Sequence, residues 1–547
     1  MRHITLKKST YRDSVSLMRI SKLASGLEGV DFVMVAMATD TNLDLLKDAG
    51  FDAAKLKGAE PNDLLIALEL ETDSVRDDVI DRIEKEIQGG TASAGSEAGQ
   101  INPGFDAALK SHPDINLVLI SVPGRFAAFE ARKALEAGKH VMIFSDNVTV
   151  EDEKALKVFA EERGLLVMGP DCGTAVINGI GLGFANQVPR GEIGMVAASG
   201  TGAQEVSSIL ARSYGVGMSQ MIGTGGRDVS REVGGVMLKM GLKALIDDAA
   251  TRAIVIVSKH PDKEIAGEVI KAARDGGKPC IIHFTGQKIS GTDESGTDES
   301  GTDTDLTFTR TLAETAEEAA RASGAKIEAA PGYREDVKAA LLAAAGKLPP
   351  GRKFLRGLFS GGTLAQEAVF LLSEMIREIH TNLHIEGFPR LEDPGESKEH
   401  TIVDLGDDTF TRGRAHPMID QAYRLVRLGN ELEDPQTAII LLDFVLGYGC
   451  HEAPGAEIAD ALVRLRSGGS AKAKARPGKA KAGSGETEAA GPGGGPLIIA
   501  SICGTHGDPQ NYAKEREALE SAGVFVAEHN QGLCDLAMAA LGAMRDR

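Results

Sequence analysis

Short apolar runs alternate with amphipathic segments along most of the chain, a pattern typical of strands that alternate with helices. After residue 115 the elements follow the order strand, helix, strand, helix, strand, and a similar series begins at residue 193. The strands of a third series are expected at 355–360, 401–406, 438–447, 496–503 and 524–528. Because these strands are almost continuously apolar, both of their faces should be buried. The pattern therefore predicts an α/β protein with several parallel-sheet units.

The 547 residues exceed what one hydrophobic core accommodates, so the chain should fold as several domains. Residues 1–88 predict a small α/β domain with strands near 4–7 and 32–38. Residues 89–104 are rich in Gly, Ser and Ala, which is typical of a linker. The remaining predicted domains are 105–188, 190–335 and 350–547.

Two segments are too polar and too repetitive to fold on their own. Residues 291–305 repeat the acidic pentad Gly-Thr-Asp-Glu-Ser, and we expect them to form a solvated loop. Residues 467–495 consist largely of Lys, Ala, Gly and Pro, so we expect a flexible insert in the last domain. Neither segment should contribute to a packed core.

The net charge of −19 disfavours negatively charged partners such as nucleic acids and anionic membranes. No apolar run reaches about 18 residues, and no apolar stretch follows the basic start as it would in an export signal. The five cysteines are scattered and form no Cys-x-x-Cys pair, which is typical of a reducing compartment. We therefore predict a cytoplasmic protein that does not enter a membrane, and we assign no metal.

Two segments about 160 residues apart share one layout, namely a buried strand, Ser-Gly, small residues and then Ala-Gln-Glu at a helix start. Glycines let the backbone approach an anion, and the N–H groups and dipole of the first helical turn attract it. The predicted phosphate-binding residues are Ser199, Gly200, Thr201, Gly202, Ser360, Gly361, Gly362 and Thr363. The alternative is that the glycines only make tight strand-to-helix turns.

Three longer segments carry a resemblance to a known family. Residues 168–205, Ile222–Gly235 and Ile402–Asp420 resemble the FdrA family, which is itself similar to succinyl-CoA synthetase with its two subunits joined in one chain. The resemblance covers nearly the whole chain except the two low-complexity segments. It implies a Rossmann-like CoA-binding domain at 105–188, followed by two flavodoxin-like domains of the succinyl-CoA-synthetase type. It also makes CoA a candidate cofactor.

One departure from the synthetases changes the expected chemistry. In them, a phosphohistidine follows the strand that corresponds to residues 278–287, and here the acidic repeat takes that place. No histidine occurs between His283 and His380, so a phosphohistidine relay is open only if His283 serves. The chain also has no P-loop. An acyl or carbamoyl phosphate, which carries its own activation, is therefore the expected substrate.

The resemblance leaves three functions open. The first is acyl-CoA or acyl-phosphate chemistry by a succinyl-CoA-synthetase-like protein. The second is a subunit of an oxamate carbamoyltransferase of ureide catabolism, in which carbamoyl phosphate and oxamate give oxalurate and phosphate. The third is a non-catalytic scaffold or regulatory subunit. Besides the small-molecule substrate, partner subunits or a homo-oligomer are expected.

Transfer from such a phosphate needs oriented N–H groups and a cation for the oxyanion and the leaving group. The candidate cations are Arg227, Arg412 and Arg414, and His416 is a candidate acid or base because its ordinary pKa is near neutrality. The segment that contains the last three residues is alternatively a salt-bridged loop.

Two further loops follow predicted strands. Gly225 and Gly226 lie in a loop that resembles the phosphate-proximal Gly loop of the synthetases. Candidate substrate or CoA contacts are Pro123, Asn147, Asp171, Cys172 and Thr174. A simple turn is the alternative for the last three. Cys172 is also a candidate nucleophile if its pKa is lowered, although free cysteines are more often inert and buried.

Overall fold

The structure is a computed structural model, and it describes residues 51–70, 72–89, 104–286, 306–327, 331–411, 415–466 and 495–545, together with 1–10, 29–39 and single positions between 17 and 47. The chain forms two compact units. One unit consists of Met1–Lys110, Leu405–Glu433 and Glu457–Glu488, and the other of Ser111–Asp404, Asp434–Ala456 and Ala489–Arg547. The predicted linker, acidic repeat and insert lie almost wholly outside the described residues. None of the described helices is long and apolar enough to span a bilayer.

The N-terminal part of the first unit contains an antiparallel sheet. Its elements are β1 (Arg2–Lys7), β2 (Val30–Met37), β3 (Leu64–Leu70) and α1 (Arg76–Gly89). The strands pair in the order β1-β3-β2, so β3 is central. Successive side chains of β3 enter two different cores, because strand side chains alternate between the faces of a sheet. The strands predicted near 4–7 and 32–38 are confirmed.

A three-stranded parallel sheet follows. Its elements are α2 (Phe105–Ser111), β4 (Leu117–Ile120), α3 (Gly124–Glu136), β5 (His140–Ile143), α4 (Val150–Glu161) and β6 (Val167–Met168). The strands pair in the order β4-β5-β6. Thr149 caps α4 by accepting a hydrogen bond from Asp152 N, as its residue type favours. The predicted β-α-β-α-β order is confirmed.

The next sheet has seven strands among the described residues. The elements of this part are β7 (Thr174–Ile177), β8 (Ile180–Gly183), β9 (Arg190–Ala198), α5 (Gly200–Tyr214), β10 (Met218–Gly223), α6 (Val236–Asp247), β11 (Ala253–Ser258), α7 (Lys263–Asp275), β12 (Cys280–Phe284), β13 (Leu306–Phe308), α8 (Leu312–Ala322) and α9 (Glu335–Ala345). The strand order is β13-β12-β11-β9-β10-β7-β8. Strands β9 to β13 are parallel, and the hairpin β7–β8 extends the sheet in the antiparallel sense.

The described residues of the C-terminal part form a six-stranded sheet. The elements here are β14 (Phe354–Phe359), α10 (Gly362–Leu372), β15 (His380–Thr381), β16 (Thr401–Asp404), α11 (Asp408–Thr411), α12 (Ala422–Glu433), β17 (Thr437–Val445), α13 (Pro454–Arg466), β18 (Leu497–Cys503), α14 (Tyr512–Ser521), β19 (Phe525–Ala527) and α15 (Asn530–Arg545). The order is β15-β16-β14-β17-β18-β19, and every pair is parallel.

The two larger sheets share one topology. When the hairpin β7–β8 and the two-residue β15 are set aside, both have the strand order 2-1-3-4-5 that is typical of flavodoxin-like domains. Such sheets bind ligands at the carboxyl ends of the strands, beside the first strand, where the strand order reverses. The first strands are β9 and β14, and each leads directly into one of the Gly-rich turns. The predicted fold class is therefore confirmed.

Candidate functional site

The two Gly-rich turns contact each other. Ser199 caps α5, and its hydroxyl accepts a hydrogen bond from Gly202 N at 3.2 Å. The same hydroxyl lies 2.7 Å from the Thr363 hydroxyl in the first turn of α10. Thr363 N donates to the Thr201 hydroxyl at 3.4 Å. The repeated turns that the sequence predicts thus form one cluster, in which the N-terminal ends of α5 and α10 meet.

In the second turn a carboxylate of the chain itself accepts the backbone N–H groups. Asp443, in β17, accepts hydrogen bonds from Ser360 N at 2.7 Å, Ser360 Oγ at 3.0 Å and Gly361 N at 2.8 Å. Its side chain is fully buried. The prediction that Ser360 and Gly361 offer free N–H groups to a phosphate is therefore wrong, because Asp443 already occupies them.

Among the described residues, no carboxylate accepts a hydrogen bond from the N–H groups of the first turn. In β11, Ser258 pairs with the residue that precedes Ser199. The register of β14 and β17 puts Asp443 in the matching place, beside the residue that precedes Ser360. The Ser258 hydroxyl is fully buried and has no hydrogen-bond partner among the described residues. The position that holds an anionic side chain in one half of the repeat therefore holds an unpaired hydroxyl in the other.

Polar groups and open space surround the first turn. Gly200 is exposed, and a Cβ placed on it would meet only the methyl group of Thr174, at 3.9 Å. The Thr174 hydroxyl is buried and also has no partner among the described residues. A Cβ on Gly362 would lie 3.2 Å from Lys259 Nζ and against the Asp404 carboxylate. Unpaired hydroxyls thus lie near the accessible N-terminus of α5, whereas the Lys259 ammonium and the Asp404 carboxylate both lie beside Gly362 of the adjoining turn.

Sequence reasoning missed Ser258, Lys259 and Asp443. The available signals are weak, since Ser-Lys at a strand end is common and only the lone Asp of the apolar run 438–447 stands out. Strand register, which the sequence does not specify, is what relates Ser258 to Asp443.

The two other predicted loops pack against each other. Gly225 has a φ of +81°, and a side chain there would collide with the Pro170 carbonyl. A Cβ on Gly223 would lie 2.6 Å from Cys172 Sγ. Gly226 is exposed. Close packing therefore requires Gly223 and Gly225 whether or not a phosphate binds, but it does not require Gly226.

Most of the predicted substrate or CoA contacts lie at the carboxyl edge of the three-stranded sheet. Asp171 N donates to Ser145 O at 3.0 Å, and Gly124 lies so close to the backbone of Asn147 that no side chain would fit. Pro123, Asn147 and Asp171 are exposed at this edge. The structure therefore assembles these residues, and their binding of CoA stays a prediction.

Cys172 is not suited to nucleophilic catalysis. Its side chain is 3% exposed, and burial raises the pKa of the thiol to about 12. The thiol is therefore protonated at neutral pH, whereas a nucleophilic cysteine needs the thiolate. Cys172 is instead an inert core residue.

Arg227 belongs to a network of charged side chains. Its guanidinium donates to Val148 O at 2.9 Å and lies 2.9 Å from Glu153 Oε2. Below it, Lys157 is fully buried and pairs with Glu153 at 2.7 Å and Asp228 at 2.9 Å. Asp228 also caps α6 by accepting two N–H hydrogen bonds, at 3.2 and 2.7 Å. Arg227 thus helps to hold the loop in place, and its catalytic role stays a prediction.

Of the other two predicted catalytic residues, the structure describes only His416. His416 lies in the first compact unit, where burial lowers its pKa to about 4. Its Nδ1 accepts a hydrogen bond from Met418 N at 3.2 Å. At neutral pH this imidazole is therefore uncharged and a weak base. Arg412 and Arg414 lie outside the described residues.

His283 does not offer a nitrogen to a phosphoryl group. It lies inside β12 at 1% exposure, and burial lowers its pKa to about 4. Its Nδ1 lies 3.3 Å from Thr309 O and its Nε2 lies 3.1 Å from Thr285 Oγ1. Because both ring nitrogens have partners, the one histidine that the sequence left open as a phosphate carrier is unsuited to that role.

Two buried glutamates follow the Gly-rich turns at matching positions. Glu205 in α5 accepts a hydrogen bond from Asn530 N at 2.8 Å, at the start of α15. Glu367 in α10 accepts one from Leu312 N at 2.7 Å, at the start of α8, and one from Asn530 Nδ2 at 2.8 Å. Each half of the repeat thus supplies a hydrogen-bond acceptor to the start of a helix in the other half, α15 in one case and α8 in the other. Burial raises the pKa of both carboxyls.

Glu367 should make stability depend on pH. Burial, assisted by the nearby Glu205, raises its pKa from 4.5 to about 7, so between those values the folded chain holds a proton that the unfolded chain releases. Stability should therefore fall by about 3 kcal/mol as the pH rises through this window. Urea unfolding at about pH 5 and about pH 8 should reveal this slope, and Glu367→Gln should remove it. The exposed Glu374→Gln is the matched control, and an unchanged slope in Glu367→Gln would contradict the assignment.

Comparisons with known proteins define the class. Residues 190–286 match the CoA binding domain and residues 358–540 match CoA-ligase. A segment of 166 residues is 32% identical to the α subunit of the ADP-forming succinate–CoA ligase of Methanothermobacter thermautotrophicus, covering 29% of this chain and 52% of that one. The chain is therefore a CoA-ligase-like protein with domains of the succinyl-CoA-synthetase type. The CoA-binding match does not support the placement of CoA binding at 105–188.

A full-length relative specifies the family. The chain is 40% identical over 538 residues to the uncharacterized protein YahF of Escherichia coli K12, covering 97% of both chains. The chain belongs to the FdrA family, as the motifs indicated. Solved structures align weakly, among them PH0766 from Pyrococcus horikoshii (16% identity, 83% of this chain, 88% of that chain, TM-score 0.30) and ATP citrate lyase of Methanosaeta concilii with (3S)-citryl-CoA (17%, 40%, 40%, 0.33).

Residues 1–103 match the N-terminal heavy metal-associated domain of AllF. Soft metal ions prefer the sulfur ligands of Cys and Met, and imidazole suits several transition metals. In this chain the first cysteine is Cys172, and His3 is the only histidine before residue 104. Residues 1–103 thus lack the thiolates that a soft metal ion prefers, and no metal chemistry is assigned to this domain.

Proposed function

We propose that the chain binds the phosphate group of an acyl or carbamoyl phosphate at the first Gly-rich turn, and that it takes part in transfer of the acyl or carbamoyl group. The observation that carries this proposal is the contrast between the two turns. Asp443 occupies the N–H groups of one, whereas the other has an exposed Gly200 and the unpaired hydroxyl of Ser258. One half of the repeat is closed by an internal anion and the other is open to an external one.

The groups around the open turn suit a phosphate. A phosphate offers several acceptor oxygens, and the first turn of the 15-residue α5 directs N–H groups and the positive end of the helix dipole outward. The hydroxyls of Ser258 and Thr174 are donors without partners among the described residues. Lys259 follows Ser258 in the chain, and its ammonium lies beside Gly362 of the adjoining turn, together with the Asp404 carboxylate. Binding of a dianion would therefore satisfy donors that are otherwise buried and unpaired.

These groups also suit a transfer reaction. An acceptor attacks the carbonyl carbon of the mixed anhydride, the bond from that carbon to the bridging oxygen breaks, and the oxygen leaves with the phosphate. Oriented N–H groups and Lys259 would stabilise the charge that grows on the leaving phosphate. No nucleotide and no phosphohistidine is needed, in agreement with the state of His283. CoA or another nucleophile would be the acceptor.

Carbamoyl transfer to oxamate is a form of the same chemistry, with the chain as one subunit of a larger enzyme. A non-catalytic scaffold would retain phosphate binding and lack turnover. Phosphate release from carbamoyl phosphate with oxamate, and from acetyl phosphate with CoA, distinguishes these functions. The assay should include the full chain alone and with co-purified partner subunits.

Replacement of Ser258 by Asp tests the binding site directly. In Ser258→Asp, a carboxylate should take the place that Asp443 takes in the second turn, and calorimetry should then record about 100-fold weaker binding of inorganic phosphate and carbamoyl phosphate. Ser258→Asn is the matched control, because it adds similar bulk without charge and should retain most of the affinity.

Lys259→Met is a second variant at a partly exposed position, and it should weaken binding about tenfold. Thermal unfolding checks that all variants are folded. Equal phosphate affinity in the wild type, Ser258→Asp and Ser258→Asn would refute the proposed site.

A further inference from the structure

A cluster of three potential metal ligands lies at the amino ends of two strands of the six-stranded sheet. The second Gly-rich turn, in contrast, follows the carboxyl end of β14. The cluster consists of Glu378, His380 and Glu399, whose ligand atoms all lie within 4.8 Å of one another. His380 pairs with Thr401, and the strands are parallel, so two residues earlier Glu378 stands beside Glu399. Both glutamates therefore precede the amino ends of β15 and β16. The cluster is separate from the proposed phosphate site and does not depend on it.

The imidazole of His380 is buried without a hydrogen bond at Nε2. The residue is 3% exposed, and Nε2 is a buried atom with no hydrogen-bond partner among the described residues. Glu378 Oε1 lies 3.2 Å from this nitrogen, within ion-pair range but outside hydrogen-bond geometry. A buried nitrogen without a hydrogen bond is unfavourable, and apart from the Glu378 contact the described residues offer Nε2 no hydrogen-bond partner.

The two carboxylates are exposed, and they place negative charge beside this nitrogen. Glu378 and Glu399 stand at matching positions in neighbouring parallel segments, where like charges repel. Ligands of a tetrahedral ion with bonds of about 2.0–2.1 Å lie about 3.3 Å apart. The 3.2 Å between His380 Nε2 and Glu378 Oε1 is close to that edge length.

From this geometry we propose that Glu378, His380 and Glu399 bind a divalent transition-metal ion, with Zn²⁺ as the best match. Imidazole and carboxylate ligands suit Zn²⁺, whereas Mg²⁺ prefers oxygen ligands alone. Three protein ligands leave a fourth position for water. The ion would join the segments that enter β15 and β16, so its main effect would be on the stability of this edge of the sheet.

Zn²⁺ binding to the full-length chain tests this proposal. After chelator treatment and its removal, equilibrium dialysis against ZnCl₂ should give one more bound Zn²⁺ per chain in the wild type than in the double variant Glu378→Gln/Glu399→Gln. The affinity at this site should fall on the order of 100-fold in the double variant. The matched control is Glu386→Gln/Glu396→Gln, which replaces two exposed acids of the same region outside the cluster and should bind Zn²⁺ like the wild type.

A second readout is independent of the first. Zn²⁺ should raise the unfolding temperature of the wild type and of the control, but not that of the double variant. Equal Zn²⁺ stoichiometry in the double variant and the control, or a wild type that binds no Zn²⁺, would overturn the proposal and leave the cluster as a His380–Glu378 ion pair. All three proteins should unfold at the same temperature without metal, which confirms that the glutamine substitutions do not disrupt the fold.

Discussion

Replacement of Lys157 by Met is expected to lower the free energy of unfolding by about 3–5 kcal/mol. Lys157 is fully buried, and its ammonium group contacts Glu153 Oε1, Asp228 Oδ1 and Thr224 O at 2.7, 2.9 and 2.9 Å. Removal of the ammonium leaves the buried Asp228 without this cation, and among the described residues Glu153 then has only Arg227 as a counter-charge. Urea unfolding followed by circular dichroism measures the loss.

Lys154→Met is the matched control, because Lys154 lies on the same helix and is exposed. It should change the free energy of unfolding by less than about 0.5 kcal/mol. A second substitution that removes the charge of Glu153 should recover part of the loss in Lys157→Met. The network would have no such role if Lys157→Met and Lys154→Met unfolded at the same urea concentration.

Asp443→Ala is expected to cost a similar amount, about 3–5 kcal/mol. The carboxylate accepts three hydrogen bonds from Ser360 and Gly361, and the alanine leaves all three donors buried and unpaired. Asp443→Asn keeps one acceptor oxygen, so its cost should be about 1–3 kcal/mol.

Both Asp443 variants are measured by urea unfolding at the same pH. A wild-type unfolding midpoint in both would mean that Asp443 does not hold the second turn. Phosphate binding at the first turn is a separate property, which Asp443→Asn should leave largely unchanged. This separates the stabilising role of the closed turn from the proposed binding role of the open one.

Much of the fold was predictable from the sequence. Uninterrupted apolar runs mark the parallel strands, and the shared layout of 195–205 and 358–368 indicates two related halves before any coordinates are known. Local patterns suffice here because each helix and strand is defined by residues close together in the chain. The family motifs added the succinyl-CoA-synthetase-like architecture, which the matches to CoA-binding and CoA-ligase domains support.

The site was less predictable, because it depends on strand register. Asp443 fills one turn and Ser258 leaves the other open only through their positions beside β14 and β9. The two-residue strand β15 leaves no periodic signal, so the approach of Glu378 to Glu399 was invisible. Burial raises the pKa of the Cys172 thiol and lowers the pKa of the His283 imidazole. These shifts exclude Cys172 as the nucleophile and His283 as the phosphate carrier, and the sequence alone does not reveal them.

The exchange of helix caps by Glu205 and Glu367 bears on whether the two halves can be encoded by separate genes. Each glutamate accepts an N–H group from the start of a helix that is encoded in the other half, so each half lacks one of the acceptors that its own helix uses. Translation of both halves as one polypeptide fixes their ratio at one to one and puts each cap within reach as soon as synthesis ends. A gene split between them would have to regain that balance through matched expression of two products.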